Sequence, residues 1–272
     1  MRLSVIMRKR FMIKTTLTVA AGKRLIGMAV ADHPAVKERL KSGIIAIIAG
    51  TTNGYVAEEI LQSIRQEKGF SRDAFFRGIT ASPLQPTDIT GKLPEQRFNG
   101  DVIIVNGEWQ KGKTVFDAIE LMSAGDIIIK GANALNIDDR KAGILIGDAK
   151  AGTIGIALPN IIGKTLRLII PVGLEKRIYG NIDMLAMKVN TPGIKGPRLF
   201  PVSGEIITEL EAIHILTGAK AELFSAGGVA NAEGSIWLLL EGAEGAIKKA
   251  TGIIESISKE PPFTLTSDKD KA

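Results

Sequence analysis

The chain of 272 residues contains no cysteine. This absence excludes a thiol nucleophile, a disulfide bond and a thiolate-bound metal. There are only two histidines: His33 precedes a proline, where we expect a surface break between helices, and His214 falls in an apolar helical stretch, where we expect a packed or solvated side chain. Because no spacing of His, Asp or Glu is typical of a metal site, we expect neither a metal nor a cofactor.

Long hydrophobic runs are also lacking. The longest, residues 44–49 and 166–172, have the length of strands and fall short of the ~20 residues that a transmembrane helix needs. The first twelve residues carry basic side chains but no sustained apolar stretch followed by a small-residue cleavage site, so no export signal is expected. The sequence therefore predicts a cytoplasmic protein without a membrane partner.

The charge is modestly basic, with 35 Lys and Arg against 29 Asp and Glu, and much of the excess lies before residue 42. No recognition motif accompanies these basic residues, so we interpret them as a solvated segment and do not expect a nucleic-acid partner. Apolar residues make up 45% and charged residues 24%, as in an ordinary globular protein. The length favours one large domain with a smaller second one.

Apolar strand-like runs alternate with helical patterns through the first 175 residues. Residues 44–49 are continuously apolar between glycines, which is typical of a parallel strand buried on both faces. Further strands are predicted at residues 102–105, 126–129, 144–146 and 166–170. This alternation predicts an α/β fold with a doubly wound, mostly parallel sheet, and we assign residues 1–190 to a Rossmann-like domain. The proline-containing residues 82–98 are predicted to form a surface loop or a lid.

The predicted order of strands and helices changes after residue 190. Residues 190–201 contain three prolines and two glycines, which favours a hinge. The β-α-β-β-α order that follows predicts a ferredoxin-like, split-βαβ domain at residues 198–263, with a flexible polar tail at 264–272. An apolar helix at residues 206–216 favours a homo-oligomer.

Two loops at predicted strand ends are the main candidates for a ligand site. Gly50, Thr51, Thr52 and Asn53 follow the first buried strand in a loop that leads into a helix predicted from residue 56, so the backbone N–H groups of the loop would face an anion such as phosphate at the start of that helix. The alternative is a simple turn in which threonine caps the helix. The second loop contains Lys130, Gly131 and Asn133 and either lines the pocket at the strand ends or forms an exposed turn.

A third loop, residues 147–153, supplies Asp148 and Lys150. Its flexible backbone would cradle an anion, with Lys150 in contact with the ligand, or form a solvated turn. Glu241 precedes a predicted helix, where a carboxylate stabilises the helix dipole. Asp148, Lys150 and Glu241 are nevertheless the candidates for a catalytic role.

The order of these parts resembles the superfamily of ribose-5-phosphate isomerase, glucosamine-phosphate deaminase and CoA transferase. In the ribose-phosphate isomerases a loop rich in glycine, threonine and serine holds phosphate, and residues 50–53 stand at the matching place. Their later Asp-Gly-Ala-Asp motif is met by residues 130–133, with Lys130 and Asn133 in place of the two aspartates. The resemblance also implies a ferredoxin-like layer near the carboxyl terminus.

The leading functional hypothesis is the binding of a phosphorylated small molecule, either a sugar phosphate or a nucleotide, at the carboxyl ends of the strands. The resemblance implies a second hypothesis, an isomerase or an acyl or CoA transferase-like enzyme. Since the family aspartates are replaced, its acid–base group would come from the candidates above or from a partner subunit. A third hypothesis is a regulatory or scaffold subunit. The sequence does not decide between binding alone and catalysis.

Overall fold

The computed structural model describes residues 10–77, 100–230 and 232–263. The predicted lid at residues 82–98 and the predicted tail at 264–272 lie outside these described residues. Twelve strands are present in the described ranges: β1 (Phe11–Leu17), β2 (Ile44–Ile47), β3 (Val102–Val105), β4 (Glu108–Trp109), β5 (Ile127–Ile129), β6 (Ala134–Asn136), β7 (Lys141–Ile146), β8 (Arg167–Pro171), β9 (Arg198–Val202), β10 (Glu205–Ile207), β11 (Lys220–Ala226) and β12 (Ile236–Gly242).

The same ranges contain eight α-helices: α1 (Val19–Asp32), α2 (Pro34–Lys41), α3 (Thr51–Ser63), α4 (Val115–Ala118), α5 (Gly152–Gly163), α6 (Ile182–Val189), α7 (Glu209–Thr217) and α8 (Glu244–Ile257). Local chemistry sets several of their ends. The break predicted near residue 34 is present at His33, whose ring accepts a hydrogen bond from the Ala35 N–H while Pro34 occupies the first position of α2. The surface position predicted for His33 is wrong, because the residue is 9% exposed and its Nε2 lies 3.0 Å from Oε1 of Glu205. Helix α7 begins with a capping box between Thr208 and Glu211.

The central sheet has six strands in the order β10-β8-β5-β2-β3-β4. Strands β10, β8, β5 and β2 are parallel neighbours, and every residue of β2 and β5 is buried, as their apolar runs predict. The α/β class is therefore confirmed. The strand at residues 102–105 was expected to continue the parallel sheet. This expectation was wrong, because the strand, β3, pairs antiparallel with β2. It then turns back into β4 through Asn106-Gly107, whose positive φ angles suit a tight hairpin.

Two three-stranded antiparallel sheets flank the central one, in the orders β6-β7-β9 and β1-β12-β11. Residues 144–146, predicted to continue the main sheet, lie instead in β7 of the first small sheet. The doubly wound arrangement is thus not confirmed. The ferredoxin-like arrangement is not confirmed either, because β9 pairs with β7, and the strand that completes the sheet of β11 and β12 is β1 from the start of the chain. Pairing of β10 with β8 brings the chain back to the central sheet after the predicted hinge, and the predicted domain boundary stays a prediction.

A charge cluster holds α1 and α3 together beside the sheet. Arg24 of α1 and Arg72 both form ion pairs with Glu58 of α3 and with Glu260. Both guanidinium groups also lie over the ring of Tyr55, at 4.8 and 4.2 Å from its centroid. The position of α3 relative to α1 is therefore fixed by charge as well as by packing.

The parallel strands bring four chain segments to one edge of the central sheet. Helix α3 follows β2, the loop at residues 130–133 follows β5, a turn at residues 172–176 follows β8, and α7 follows β10. The side chain of Asn53 joins the first two of these ends. Its amide donates to the carbonyl oxygens of Ile48 at 2.7 Å and Ile129 at 3.1 Å, and its residue is only 1% exposed.

Replacing Asn53 with alanine is expected to lower the free energy of unfolding by about 2–4 kcal/mol, because it removes two buried hydrogen bonds that join neighbouring strand ends. Urea denaturation followed by circular dichroism measures this loss. Asn160→Ala is the control, since among the described residues the side chain of Asn160 donates within its own helix alone, to the carbonyl oxygen of Ile156. We expect this variant to lose less than about 1 kcal/mol. Equal losses in the two variants would contradict the bridging role of Asn53.

Candidate functional site

Space is left beside the amino end of α3 by the described residues. A Cβ atom built on Gly50, the residue before the helix, would meet none of their atoms within 4 Å. The first intrahelical bond is donated by the N–H of Gly54 to the carbonyl oxygen of Gly50, so the N–H groups of Thr51, Thr52 and Asn53 precede the hydrogen-bonded part of the helix. Such a set of N–H groups attracts an anion.

Two side-chain oxygens at the start of α3 are buried without a hydrogen-bond partner among the described residues. They are Oγ1 of Thr52, a residue 3% exposed, and Oδ1 of Asn53. Oδ1 of Asn53 faces the second loop, since a Cβ on Gly131 would lie 3.8 Å from it. Because buried polar groups are nearly always hydrogen-bonded, these two atoms indicate that a water or a ligand completes the site.

Lys130 lies directly after β5, and its backbone N–H donates to the carbonyl oxygen of Ile169 in the neighbouring strand. Its Nζ is 3.1 Å from Oγ1 of Thr153, near the start of α5. Removal of the amine from water lowers the pKa of Lys130 to about 8, and the positive charge of Arg77 acts in the same direction. The nearby carboxylate of Asp101 acts in the opposite direction.

Asp101 is buried immediately before β3, where other groups already occupy its carboxylate. The N–H groups of Ala49 and Val115 donate to it at 3.0 and 2.9 Å, and Arg77 forms an ion pair with it at 3.1 Å. Lys130 therefore has a hydroxyl group, and no carboxylate, within hydrogen-bond distance among the described residues.

A second group of ionisable side chains occupies the ends of β8 and β10. Glu209 is the first residue of α7 and is 2% exposed, and its Oε2 accepts a hydrogen bond from the N–H of Leu174 at 2.9 Å. Burial raises the pKa of Glu209 to about 8, and the negative charge of Glu175 adds to this effect. Oε1 of Glu175 is enclosed without a hydrogen-bond partner in the described chain.

Two lysines face these carboxyl groups. Nζ of Lys176 donates to the carbonyl oxygen of Ala132 at 2.9 Å, so the turn after β8 is held against the loop after β5. Burial lowers the pKa of Lys176, and it also lowers that of Lys23 in α1. Within the described residues the charges of Glu175 and Glu209 act on both lysines without a direct ion pair to either.

Glycines make room for both carboxyl groups. A Cβ on Gly22 of α1 would lie 2.5 Å from Oε1 of Glu209, and one on Gly173 would collide with Oε2 of Glu175. The buried Glu209 and the partly buried Glu175, Lys176 and Lys23 thus lie side by side, without mutual ion pairs in the described chain, at the sheet edge that also holds Lys130. Groups with raised and lowered pKa values in one place can hold and transfer protons near neutral pH.

The structure brings only part of the sequence-predicted set to this edge, namely Gly50, Thr51, Thr52, Asn53, Lys130 and Gly131. Asn133 is exposed, and its Oδ1 accepts a hydrogen bond from the N–H of Leu145, which ties the loop to β7. The side chain of Asn133 therefore has a structural contact, with the backbone of β7.

The three catalytic candidates also have structural contacts. Asp148 is exposed, and its Oδ1 accepts from the N–H groups of Lys150 and Gly152 at the start of α5. Lys150 itself is exposed. Glu241 lies on β12 and forms an ion pair with Arg10 at 2.6 Å.

Sequence reasoning missed Glu209, Glu175, Lys176 and Lys23. The predicted helix at residues 206–216 concealed the three-residue strand β10, so Glu209 was not recognised as a residue at a strand end. The capping pattern from Thr208 to Glu211 is the signal that would have found the true start of α7.

The described residues give no indication of a metal site or a membrane span. No group of three or more His, Asp or Glu side chains in these ranges is arranged to hold a metal ion. None of their helices combines the length and the apolar character needed to cross a membrane. A groove of about 410 Å³ beside Arg39 and Arg167 lies at the amino ends of the strands, opposite the candidate site.

Glu209→Gln is expected to stabilise the protein in a pH-dependent way. Because the folded-state pKa of Glu209 is about 8 and its ordinary value is 4.5, the folded protein binds this proton more tightly, and stability is lost as pH rises between these values. The variant should be more stable than the wild type by about 1–3 kcal/mol at pH 8, with the gap closing towards pH 4. Urea denaturation at several pH values measures the difference, with the exposed Glu222→Gln as control. A gap that does not change with pH would contradict the raised pKa.

Comparison with known proteins adds no assignment. The chain matches no family model, no curated protein and no solved structure. The superfamily resemblance therefore remains a proposal. Function is inferred below from the chemistry of the residues at the carboxyl ends of the strands.

Proposed function

We propose that the protein binds a phosphorylated small molecule, a sugar phosphate or a nucleotide, at the carboxyl ends of β2, β5, β8 and β10. The observation that carries this proposal is the start of α3, where the N–H groups of Thr51, Thr52 and Asn53 precede the hydrogen-bonded part of the helix and two buried side-chain oxygens lack a partner in the described chain. An anion at this helix start would accept from these N–H groups and be stabilised by the positive end of the helix dipole.

The hydrogen-bonding groups at the start of α3 suit a phosphate. Its several oxygens can accept from the N–H groups of Thr51, Thr52 and Asn53, and the unpartnered hydroxyl of Thr52 can donate to one of them.

The remainder of the ligand would face the group formed by Glu209, Glu175, Lys176 and Lys23. These side chains offer both donors and acceptors, and the unpartnered Oε1 of Glu175 can accept from a hydroxyl group. A polar ligand rich in hydroxyl groups, such as the sugar of a sugar phosphate or nucleotide, fits this surrounding. The superfamily resemblance is consistent with this proposal through residues 50–53.

One observation favours turnover as a second candidate function. Glu209 has its pKa raised to about 8 beside Glu175 and Lys176, which suits it to exchange a proton with a bound substrate near neutral pH. Asp148 and Glu241 are less suited to this role, since the first caps a helix and the second is paired with Arg10. An isomerase or a transferase-like enzyme would then use Glu209 as its acid–base group.

Thermal unfolding with inorganic phosphate, ribose 5-phosphate and AMP tests the binding proposal. A phosphorylated probe at a hundred times its dissociation constant should add about 2.7 kcal/mol of stability, and ribose and adenosine should add none. Thr52→Val should match or exceed the stability of the free wild type, because the lost hydroxyl has no described partner, and it should lose most of the ligand-induced shift.

Thr251→Val on α8 is the matched control, since its hydroxyl bonds only within the helix, to the carbonyl oxygen of Ile247. It should keep the full shift. No shift with any of the three phosphorylated probes, in a protein that unfolds cooperatively, would overturn the proposed function.

A further inference from the structure

The amine of Lys130 has a partner that accommodates its neutral form. A lysine ammonium has three donors and no acceptor, whereas the neutral amine also carries a lone pair. Oγ1 of Thr153, 3.1 Å from Nζ, belongs to a hydroxyl group that can accept from the ammonium or donate to that lone pair. The contact of Lys176 is different, because a carbonyl oxygen only accepts and so favours a donor amine.

The charges around Lys130 also give little stabilisation to the ammonium form of its side chain. The carboxylate of Asp101 is engaged by Arg77 and by two backbone N–H groups. The positive charge of Arg77 opposes a second positive charge beside it. A lysine removed from water next to another cation is the arrangement in which lysine acts as a nucleophile.

The third observation is the position of Lys130. It lies at the carboxyl end of the central strand β5, between β2 and β8. Gly131, which follows it, faces the unpartnered Oδ1 of Asn53 at the open start of α3. A ligand held by the N–H groups of that helix would therefore lie beside the loop that carries Lys130.

We propose that Lys130 is a nucleophile that forms an imine with an aldehyde or ketone group of the bound molecule. This inference deepens the proposed function and rests on it for the phosphate group of the substrate. It narrows the substrate class to phosphorylated carbonyl compounds.

The step balances without an oxidant, a reductant or a further reactant. The lone pair of Nζ attacks the carbonyl carbon, the C=O π electrons move to oxygen, and a proton passes from nitrogen to that oxygen to give a carbinolamine. The hydroxyl group then leaves with one further proton as water, and the C=N bond forms. The Thr153 hydroxyl is placed to relay the proton between nitrogen and oxygen and is a positioning residue.

The protonation state supports this chemistry. With a pKa of about 8, about a quarter of the Lys130 side chains are neutral at pH 7.5, against about one in a thousand for an ordinary lysine. At this pH the free-amine form of Lys130 is therefore about two hundred times more populated than that of an exposed lysine.

Pyridoxal 5′-phosphate is a suitable probe because it carries both a phosphate and an aldehyde. The full chain is incubated with one equivalent at pH 7.5, reduced with borohydride to fix any imine, digested and analysed by mass spectrometry. We expect the label on Lys130 of the wild type, at a rate at least tenfold above that with pyridoxal, which lacks the phosphate. Because the label is located on a peptide of the wild-type protein, this result does not depend on whether any variant folds.

Lys130→Arg and Lys130→Met should remove this label, whereas Lys141→Arg should keep it, since the amine of Lys141 forms an ion pair with the carboxylate of Asp183. The labelling rate should reach half its maximum near pH 8. A label spread over exposed lysines, or a rate still rising above pH 10, would overturn the inference.

The outcomes separate the two proposals. A stability increase with ribose 5-phosphate and no label on Lys130 would overturn the imine inference and keep the phosphate site. Equal labelling of Lys130 by pyridoxal and pyridoxal 5′-phosphate, with no stability increase from any phosphorylated probe, would support the nucleophile and overturn the phosphate site.

Discussion

Parallel pairing of β2, β5 and β8 is the constraint on which the rest of the structure depends. It forces three strands to end at one edge, and β10 adds a fourth. The chain must leave the sheet at the end of each of these strands. Loops and helix starts with unpaired backbone groups therefore accumulate at one end of the sheet. The amide of Asn53 satisfies two of the carbonyl groups at this edge and holds α3 against β5. The side-chain oxygen Oδ1 of Asn53 and the hydroxyl of Thr52 stay without partners in the described chain.

The charges gathered at the same edge reduce stability. Glu209, Lys130 and Lys176 all have pKa values shifted towards the neutral form, which means that the fold disfavours their charges. A chain selected for stability alone would place apolar residues there or pair the charges directly. The Arg24 and Arg72 cluster shows that this protein does form direct ion pairs where they hold helices together. Retention of unpaired groups at the strand ends is the pattern of a functional site.

The sequence was informative where one local signal dominated. Continuous apolar runs identified β2 and β5, and the proline after His33 identified the break between α1 and α2. The loop predicted at residues 50–55 was wrong, because α3 begins at Thr51 and residues 51–55 form its first turns. Strand direction was not recoverable in this way, because a buried strand such as β3 has the same apolar pattern in either direction. The short strand β10 was lost inside a longer apolar stretch, and with it the position of Glu209. Lys130 was found because it follows a strand, but its missing counter-ion depends on contacts of Asp101 with residues far apart in the chain.

The pairing of β1 with β12 has a consequence for the order in which the protein is made. Phe11 lies opposite Gly242, so the first described strand is synthesised more than two hundred residues before its partner. Until β12 leaves the ribosome, β1 has no strand to complete, and its alternating apolar side chains have no sheet to join. The small sheet with β11 can therefore close only as a late event, which makes the emerging chain dependent on protection of β1 from other edges and from aggregation.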